Sequence, residues 1–227
     1  MLLTMTAEEY KFSPDSVKSS ENTKSRVILA SGSKNRQLLL NLLGIPFEVI
    51  PSYIDEKSIQ EENPIQKVQK IALLKASQVS SQHEGIIIAA DTFAVINNEH
   101  YEKPTNLDEA KRMLLKLSGQ TLKSLTGICV INTARRTTRV TYKAIDIQVA
   151  DLTDDIIEQY ITTKPVTEWA TAYNPLDEFS TQLFHSVNEY TNGLEYGLPL
   201  DIVVEELRAA NISLDPLLIE KVQRRSK

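Results

Sequence analysis

The run Ser31-Gly-Ser33-Lys34-Asn-Arg36 places two hydroxyls and two cations in one short stretch, just after the apolar Val27-Ile-Leu29 and just before Gln-Leu-Leu-Leu. An apolar triplet without alternation reads as a strand covered on both faces. The periodic residues from Arg36 to Leu43, stopped by Gly44, read as a helix. A strand–loop–helix junction aims unpaired backbone N–H groups at one point, and the helix dipole adds partial positive charge there. With Ser31, Ser33, Lys34 and Arg36 around that point, the chemistry suits a phosphate chain. The same residues also describe an ordinary helix capped by Ser33, with Lys34 and Arg36 on its surface.

Further charged residues fall where they can serve such an anion. Gly85-Ile-Ile-Ile-Ala-Ala-Asp91-Thr92 is the most hydrophobic strand in the sequence and ends in a carboxylate. Ligands of open α/β sheets gather at the carboxyl ends of strands, so Asp91 is either a site carboxylate or a turn aspartate that bonds its own backbone. Lys75 lies in a helix that Asn63-Pro64 opens with a cap and an N1 proline, beside the apolar face of Val68, Ile71, Ala72, Leu74 and Val79. Phe93 to Ile96 continues extended, Lys103 closes the return strand after the Asn97-Asn98 turn, and Glu56 belongs to the acidic Asp55-Glu56 loop. Each has a plainer alternative, because lysines on helix faces or strand ends, and loop glutamates, usually stay in solvent.

Composition limits what this chemistry can be. The 227 residues are 41% hydrophobic and 24% charged, as in a soluble globular protein. A net charge of -5 argues against binding a nucleic-acid polymer, which needs a clustered basic surface. It leaves room for a small anion in a local basic pocket. The single cysteine, Cys129 in Ile128-Cys-Val-Ile131, excludes an intramolecular disulfide framework, fits a reducing, cytoplasmic setting and reads as a buried structural thiol. No apolar run is long enough to span a membrane, and the first residues lack a signal-peptide core. His83, His100 and His185 are scattered, without a structural zinc pattern.

The elements that must hold these residues alternate strand and helix through the first half, which predicts a mixed α/β fold. Residues 1–24 are polar and Ser-rich and read as a flexible N-terminal arm. A domain over 25–212 and a tail over 213–227 follow. Phe47-Glu-Val-Ile50 is a second strand. Thr105-Asn-Leu-Asp-Glu109 opens a helix with capping-box character that stops at Ser118-Gly119. Residues 125–132 and 139–149 are β-rich, Thr153 opens a helix to about Ile161, and Gly197-Leu-Pro199-Leu starts another. The segment from Trp169 to Gly197, with turns at Asn174-Pro175 and Asn192-Gly193, has no clear periodicity.

Together these motifs resemble one family. Leu29-Ala-Ser-Gly-Ser-Lys-Asn-Arg36-Gln-Leu-Leu is similar to the N-terminal signature of the Maf (septum-formation-type) nucleotide pyrophosphatases. Asp55-Glu56, Lys75-Ala76, Ala90-Asp91-Thr92, Glu102-Lys103-Pro104, Leu117-Ser-Gly119, Thr126-Gly127 and Gly197-Leu-Pro199-Leu follow in that family's order. The resemblance therefore covers residues 27–207. It implies a fold like that of the inosine-triphosphate pyrophosphatases: an elongated mixed β-sheet with flanking helices around a deep cleft. It implies cleavage of an NTP or dNTP between the α and β phosphates to a monophosphate and pyrophosphate, with a divalent cation such as Mg, Mn or Co. Carried onto this chain, Ser31, Ser33, Lys34, Arg36 and Thr92 would bind substrate. Lys75 and Lys103 would bracket the triphosphate, and Asp91 would hold the metal or orient the attacking water, with Glu56 as a second metal ligand. The expected partner is a nucleoside triphosphate, with neither a membrane nor a nucleic-acid polymer, and a homodimer is compatible with this reading.

The sequence departs from the family in two places. Where the family usually has Pro-Arg-Arg, this chain has Lys34-Asn35-Arg36. The family's Asp-Lys-Ala-Gly-Ala-Tyr-Gly-Ile-Gln-Gly appears as Glu168-Trp-Ala-Thr-Ala-Tyr-Asn-Pro-Leu-Asp177. Trp169 replaces the lysine, Leu176 the glutamine, and Thr171, Asn174 and Asp177 the glycines. Glycines permit close approach or positive φ, so a changed backbone path is expected here. Three readings follow: an active pyrophosphatase, a degenerate relative that binds nucleotide or a partner without efficient catalysis, and a structural protein on the same scaffold. Retention of Ser31, Arg36, Lys75, Asp91 and Lys103 favours the first two.

Overall fold

The computed structural model describes residues 26–96, 99–101, 103–174, 177–186 and 197–216. The arm expected over 1–24, the Asn97-Asn98 and Asn192-Gly193 turns, Glu102, Leu176 and most of the tail lie outside those residues.

Strand β1 (Val27–Leu29) is buried along its length, as its unbroken apolar run predicts. It pairs in parallel with β2 (Glu48–Val49) on one side and with β3 (Ile86–Ile96) on the other. Helix α1 (Lys34–Asn41) connects β1 to β2. It starts at Lys34 rather than Arg36 because extended Ser33 takes the cap, its hydroxyl accepting from the Arg36 N–H. It ends ahead of a turn in which Gly44 adopts a left-handed φ of 65°. Helix α2 (Pro64–Ser80) leads back to β3 and is capped as predicted, the Asn63 side-chain oxygen accepting from the N–H groups of Ile65 and Gln66.

From β3 onward the pairing is antiparallel. Strand β4 (Glu99–Tyr101) folds back on the end of β3, β5 (Thr121–Asn132) pairs along β3, β6 (Thr137–Val149) along β5, and β7 (Phe184–Ser186) with β6. The result is a mixed seven-stranded sheet of order β2-β1-β3-β5-β6-β7, with β4 beside β3. Helices α3 (Leu107–Leu117), α4 (Asp154–Thr163), α5 (Glu178–Leu183) and α6 (Leu200–Ala209) complete the described chain. No helix among the described residues is long and apolar enough to cross a membrane.

The expected strand end at Asp91, with Phe93 to Ile96 only continuing extended beyond it, needs correction: the two form one strand. β3 continues to Ile96 because β5 supplies ladder partners for Asp91 and the residues beyond it. Asp91 therefore lies in mid-strand, and the turn-aspartate alternative falls.

Alternation along β3 sorts its side chains onto two faces. Ile87 and Ala89 pack with Ala72, Ala76 and Val79 of α2 and with Cys129. Ile86, Ile88 and Ala90 pack on the other face with Leu39 and Leu40 of α1 and Val203 and Leu207 of α6. Farther along, Ala94 and Ile96 join Met113 and Leu117 of α3 and Ile157 and Tyr160 of α4. Burial pushes the Cys129 thiol up to about 12, so it stays protonated at neutral pH and acts as a packing group.

Helix α2 rests on the sheet at Gly127 of β5, the register partner of Asp91. A Cβ at Gly127 would stand 2.3 Å from the Val68 carbonyl oxygen, a backbone atom that cannot swing aside. Only glycine allows this approach. Gly127→Ala should lower stability by about 1–3 kcal/mol in denaturant unfolding, as overpacking does. An unchanged unfolding midpoint would show that α2 can ride higher on the sheet without penalty.

Candidate functional site

Arg36 leaves α1 in the turn that the Ser33 cap fixes. Its Nε donates to the Gly197 carbonyl at 2.8 Å, Nη1 to Ser31 Oγ at 3.2 Å and Nη2 to Thr92 Oγ1 at 3.2 Å. Thr92 Oγ1 in turn contacts the buried Thr126 Oγ1 at 3.0 Å. One guanidinium thus ties together the loop after β1, the middle of β3 and the segment ahead of α6. Burial pulls Arg36 below the ordinary arginine value, while the carboxylates of Asp91 and Glu56 pull it back up; an arginine in this setting remains charged. Gly197 is required here by its φ of 78° and by space, since a Cβ would meet Thr92 Oγ1 at 2.8 Å.

One residue earlier on β3, Asp91 faces α2. Lys75 Nζ donates to Asp91 Oδ1 at 2.7 Å and lies 2.9 Å from Glu56 Oε1. Lys75 and Asp91 are 8% and 9% exposed. Glu56, on a short 3-10 turn (Glu56–Ser58), stays half exposed. Lysine is almost never buried unless its ammonium is paired, so the solvent-facing alternative for Lys75 does not hold.

The expected site residues therefore divide. Ser31, Arg36 and Thr92 form one group, bordered by Ser33, whose hydroxyl caps α1. Lys75, Asp91 and Glu56 form the second. Lys34 and Lys103 are exposed. Lys34 lies on the outer face of α1, beside a surface hollow that it lines with Gln37, Leu38, Asn41 and Phe47.

Other contributors have no role assigned from sequence. Thr126 and the Gly197 carbonyl complete the surroundings of Arg36; their neighbours Gly127 and Leu198-Pro199 mark the segments but not the contacts. Asn35 Nδ2 donates to Asn174 Oδ1 at 3.2 Å, joining the first turn of α1 to the divergent segment. The described part of that segment follows a short 3-10 turn, Val166–Glu168, and contains a second, Ala170–Ala172, with Thr171 and Ala172 at φ values of 58° and 55°. Of the three positions where the family has glycine, Thr171 alone takes the left-handed conformation that glycine favours, and Asp177 is extended at a φ of -90°.

A cationic loop at the end of β1 and a buried ammonium–carboxylate cluster beside it, both set on a mixed α/β sheet, define a candidate site for a polyanion. The sequence profile of the Maf-like protein family matches residues 26–210, and the chain belongs to that family. A dTTP/UTP pyrophosphatase of Bacillus cereus is 35% identical over 198 residues, which is 87% of this chain and 95% of that relative. One from Bacillus anthracis is 34% identical over 190 residues, 83% and 97% of the two chains. Among solved structures, the Staphylococcus aureus Ham1 protein aligns with a TM-score of 0.39 at 15% identity, over 56% of this chain and 72% of its own. A nucleoside-triphosphatase / dITP/XTP pyrophosphatase from Mycobacterium abscessus aligns with a TM-score of 0.42 at 13% identity, over 82% and 97%.

The contact between Asn35 and Asn174 can be measured directly. Asn35→Ala, Asn174→Ala and the double variant should show a coupling of about 0.5–1.5 kcal/mol in unfolding free energy. Strict additivity would mean that the two side chains do not meet in solution.

Proposed function

We propose that this protein hydrolyses nucleoside triphosphates to a nucleoside monophosphate and pyrophosphate with a divalent cation. The observation that carries the proposal is the placing of two groups at adjacent residues of β3: Arg36 with Ser31 and Thr92, and Lys75 with Asp91 and Glu56. Triphosphate cleavage needs negative charge spread onto fixed cations and dipoles in the transition state. Arg36 offers a planar fork and Lys75 a point charge. In this reading Ser31, Ser33, Lys34, Arg36 and Thr92 bind the substrate, and Lys75 and Lys103 bracket the phosphates.

Asp91 and Glu56 fit a hard cation by their chemistry. Among the described residues no group of three or more His, Cys, Asp or Glu side chains gathers for a metal. Magnesium, however, commonly uses one or two carboxylates and completes its shell with water and substrate phosphates. When bound, such a cation would polarise the α-phosphate and lower the pKa of a bound water. Asp91, rigid in mid-strand, orients the water that attacks the α-phosphorus. The P–O bond between the α and β phosphates breaks, and pyrophosphate leaves against Arg36 and the lysines.

The names of the relatives support dTTP and UTP as the first substrates to try. Neutral Asn35, where the family usually has arginine, favours a second reading in which nucleotide binds with little turnover. Pyrophosphate release from a nucleotide panel with Mg, Mn or Co separates the two. Asp91→Asn should cut turnover by about 10²–10⁴-fold, and Arg36→Ala should weaken triphosphate binding by about 1.5–3 kcal/mol in calorimetry. A wild type that binds but never hydrolyses selects the second reading. An Asp91→Asn variant with wild-type turnover would overturn the role given to Asp91.

A further inference from the structure

Three separate elements meet at Lys75. The lysine comes from α2, Asp91 from the middle of β3 and Glu56 from the turn after β2. Two carboxylates converging within hydrogen-bond reach of one point repel each other unless a cation stands between them. Arg36 is close enough to feel both carboxylates, but its hydrogen bonds go to Gly197, Ser31 and Thr92. The ammonium that bridges Asp91 and Glu56 is that of Lys75, at 2.7 and 2.9 Å.

We infer that the Lys75 ammonium is a built-in substitute for the divalent cation, held on the same two carboxylates until a triphosphate draws it away. This inference rests on the proposed use of Asp91 and Glu56 as cation ligands. A divalent ion on those oxygens would lie within a few ångströms of the ammonium, and in a buried setting that repulsion is strong. The two cations therefore exclude each other unless Lys75 finds a new anionic partner.

The flexible four-carbon stem of lysine permits such a move, and a phosphate oxygen of the substrate supplies the partner. Glu56 is half exposed on its short turn and free to follow, whereas Asp91 is fixed by ladder pairs on β3. Charge points the same way. Lys75 and Arg36 already neutralise Asp91 and Glu56, so a divalent ion entering alone adds uncompensated positive charge. A divalent ion entering with a triphosphate does not. The free protein accordingly binds the cation weakly, and cation and triphosphate bind as a linked pair.

Manganese binding without nucleotide tests this, read by the paramagnetic signal of the free ion or by calorimetry. Wild type should bind weakly. Lys75→Met, with the competing charge removed, should bind about tenfold tighter or more, and its melting temperature should rise with manganese more than that of wild type. Lys75→Arg, which keeps a cation between the carboxylates, should bind as weakly as wild type. If Lys75→Met does not fold, Lys75→Gln, which still donates hydrogen bonds, carries the same comparison. A folded neutral variant that binds manganese no tighter than wild type overturns the inference, whatever the hydrolysis assays give. Tight manganese binding by that variant, with no triphosphate hydrolysis by wild type, would uphold the inference and overturn the proposed function.

Discussion

The close approach of α2 to the sheet at Gly127 governs the geometry of everything around it. A side chain at that position would collide with the Val68 carbonyl, so the missing Cβ sets how near the helix lies to β3 and β5. Two turns farther along the same helix, that depth lets the Lys75 ammonium reach Asp91, the residue registered opposite Gly127. The apolar contacts of Ala72, Ala76 and Val79 with Ile87 and Ala89 hold the helix there. Small alanines facing the strand serve the same end as the glycine, because a larger residue would lift the helix and leave the ion pair stretched.

The alternation of β3 then divides the charges. Asp91 faces α2 and Thr92 faces α1 and α6, so adjacent residues serve an ammonium on one side and a guanidinium on the other. A buried charge needs its hydrogen bonds satisfied as well as a counter-ion. Arg36 meets this with neutral acceptors from Ser31, Thr92 and Gly197, and takes its charge balance at longer range from Asp91 and Glu56. Lys75 takes both from the two carboxylates directly. The guanidinium is thereby fixed in direction, while the ammonium is held by partners that another cation can also use.

Sequence signals that act within a turn or two are legible in this chain. Asn63-Pro64 opens α2, Thr153 opens α4 through a bond to the Ile156 N–H, and Ser118-Gly119 closes α3. Ser31, Arg36, Thr92, Lys75, Asp91 and Glu56 are likewise visible as charged or hydroxyl residues in marked places, and the fold gathers them. What depends on distant partners is not legible. That Ile86 to Ile96 form one unbroken strand with Asp91 in its middle depends on β5, which lies more than thirty residues away in sequence, as the pairing of Asp91 with Gly127 shows. The acceptor for Arg36 Nε is a backbone carbonyl at Gly197, and a carbonyl carries no side-chain signature. The burial of Lys75 follows from the approach of α2, which the periodicity of that helix does not specify.

The described residues around Trp169 to Asp177 are held by packing from α4 although the family's residues are replaced there. Thr171 is β-branched yet left-handed and buried, a strain of order 1–3 kcal/mol that survives only where the surroundings impose it. Tyr160 imposes it from α4, donating its hydroxyl proton to the Ala172 carbonyl at 2.7 Å. A phenol has one proton, so the 2.6 Å contact with Ser180 has the serine as donor, and the buried hydroxyl is satisfied on both sides. Trp169 and Phe179 pack against the same tyrosine ring. Asp177 caps α5 through the Ser180 N–H and pairs with Lys164 at 2.6 Å. Burial raises its pKa, but the Lys164 and backbone hydrogen bonds outweigh burial and leave the carboxyl below its usual range. Trp169 packs on Tyr160, Thr171 precedes the Ala172 carbonyl that Tyr160 bonds, and Asp177 pairs with Lys164 just after α4, while Asn174 between them meets Asn35. The two departures from the family thus meet in space: the neutral amide at position 35 donates to the neutral amide at position 174, a contact that joins α1 to this segment without restoring a charge.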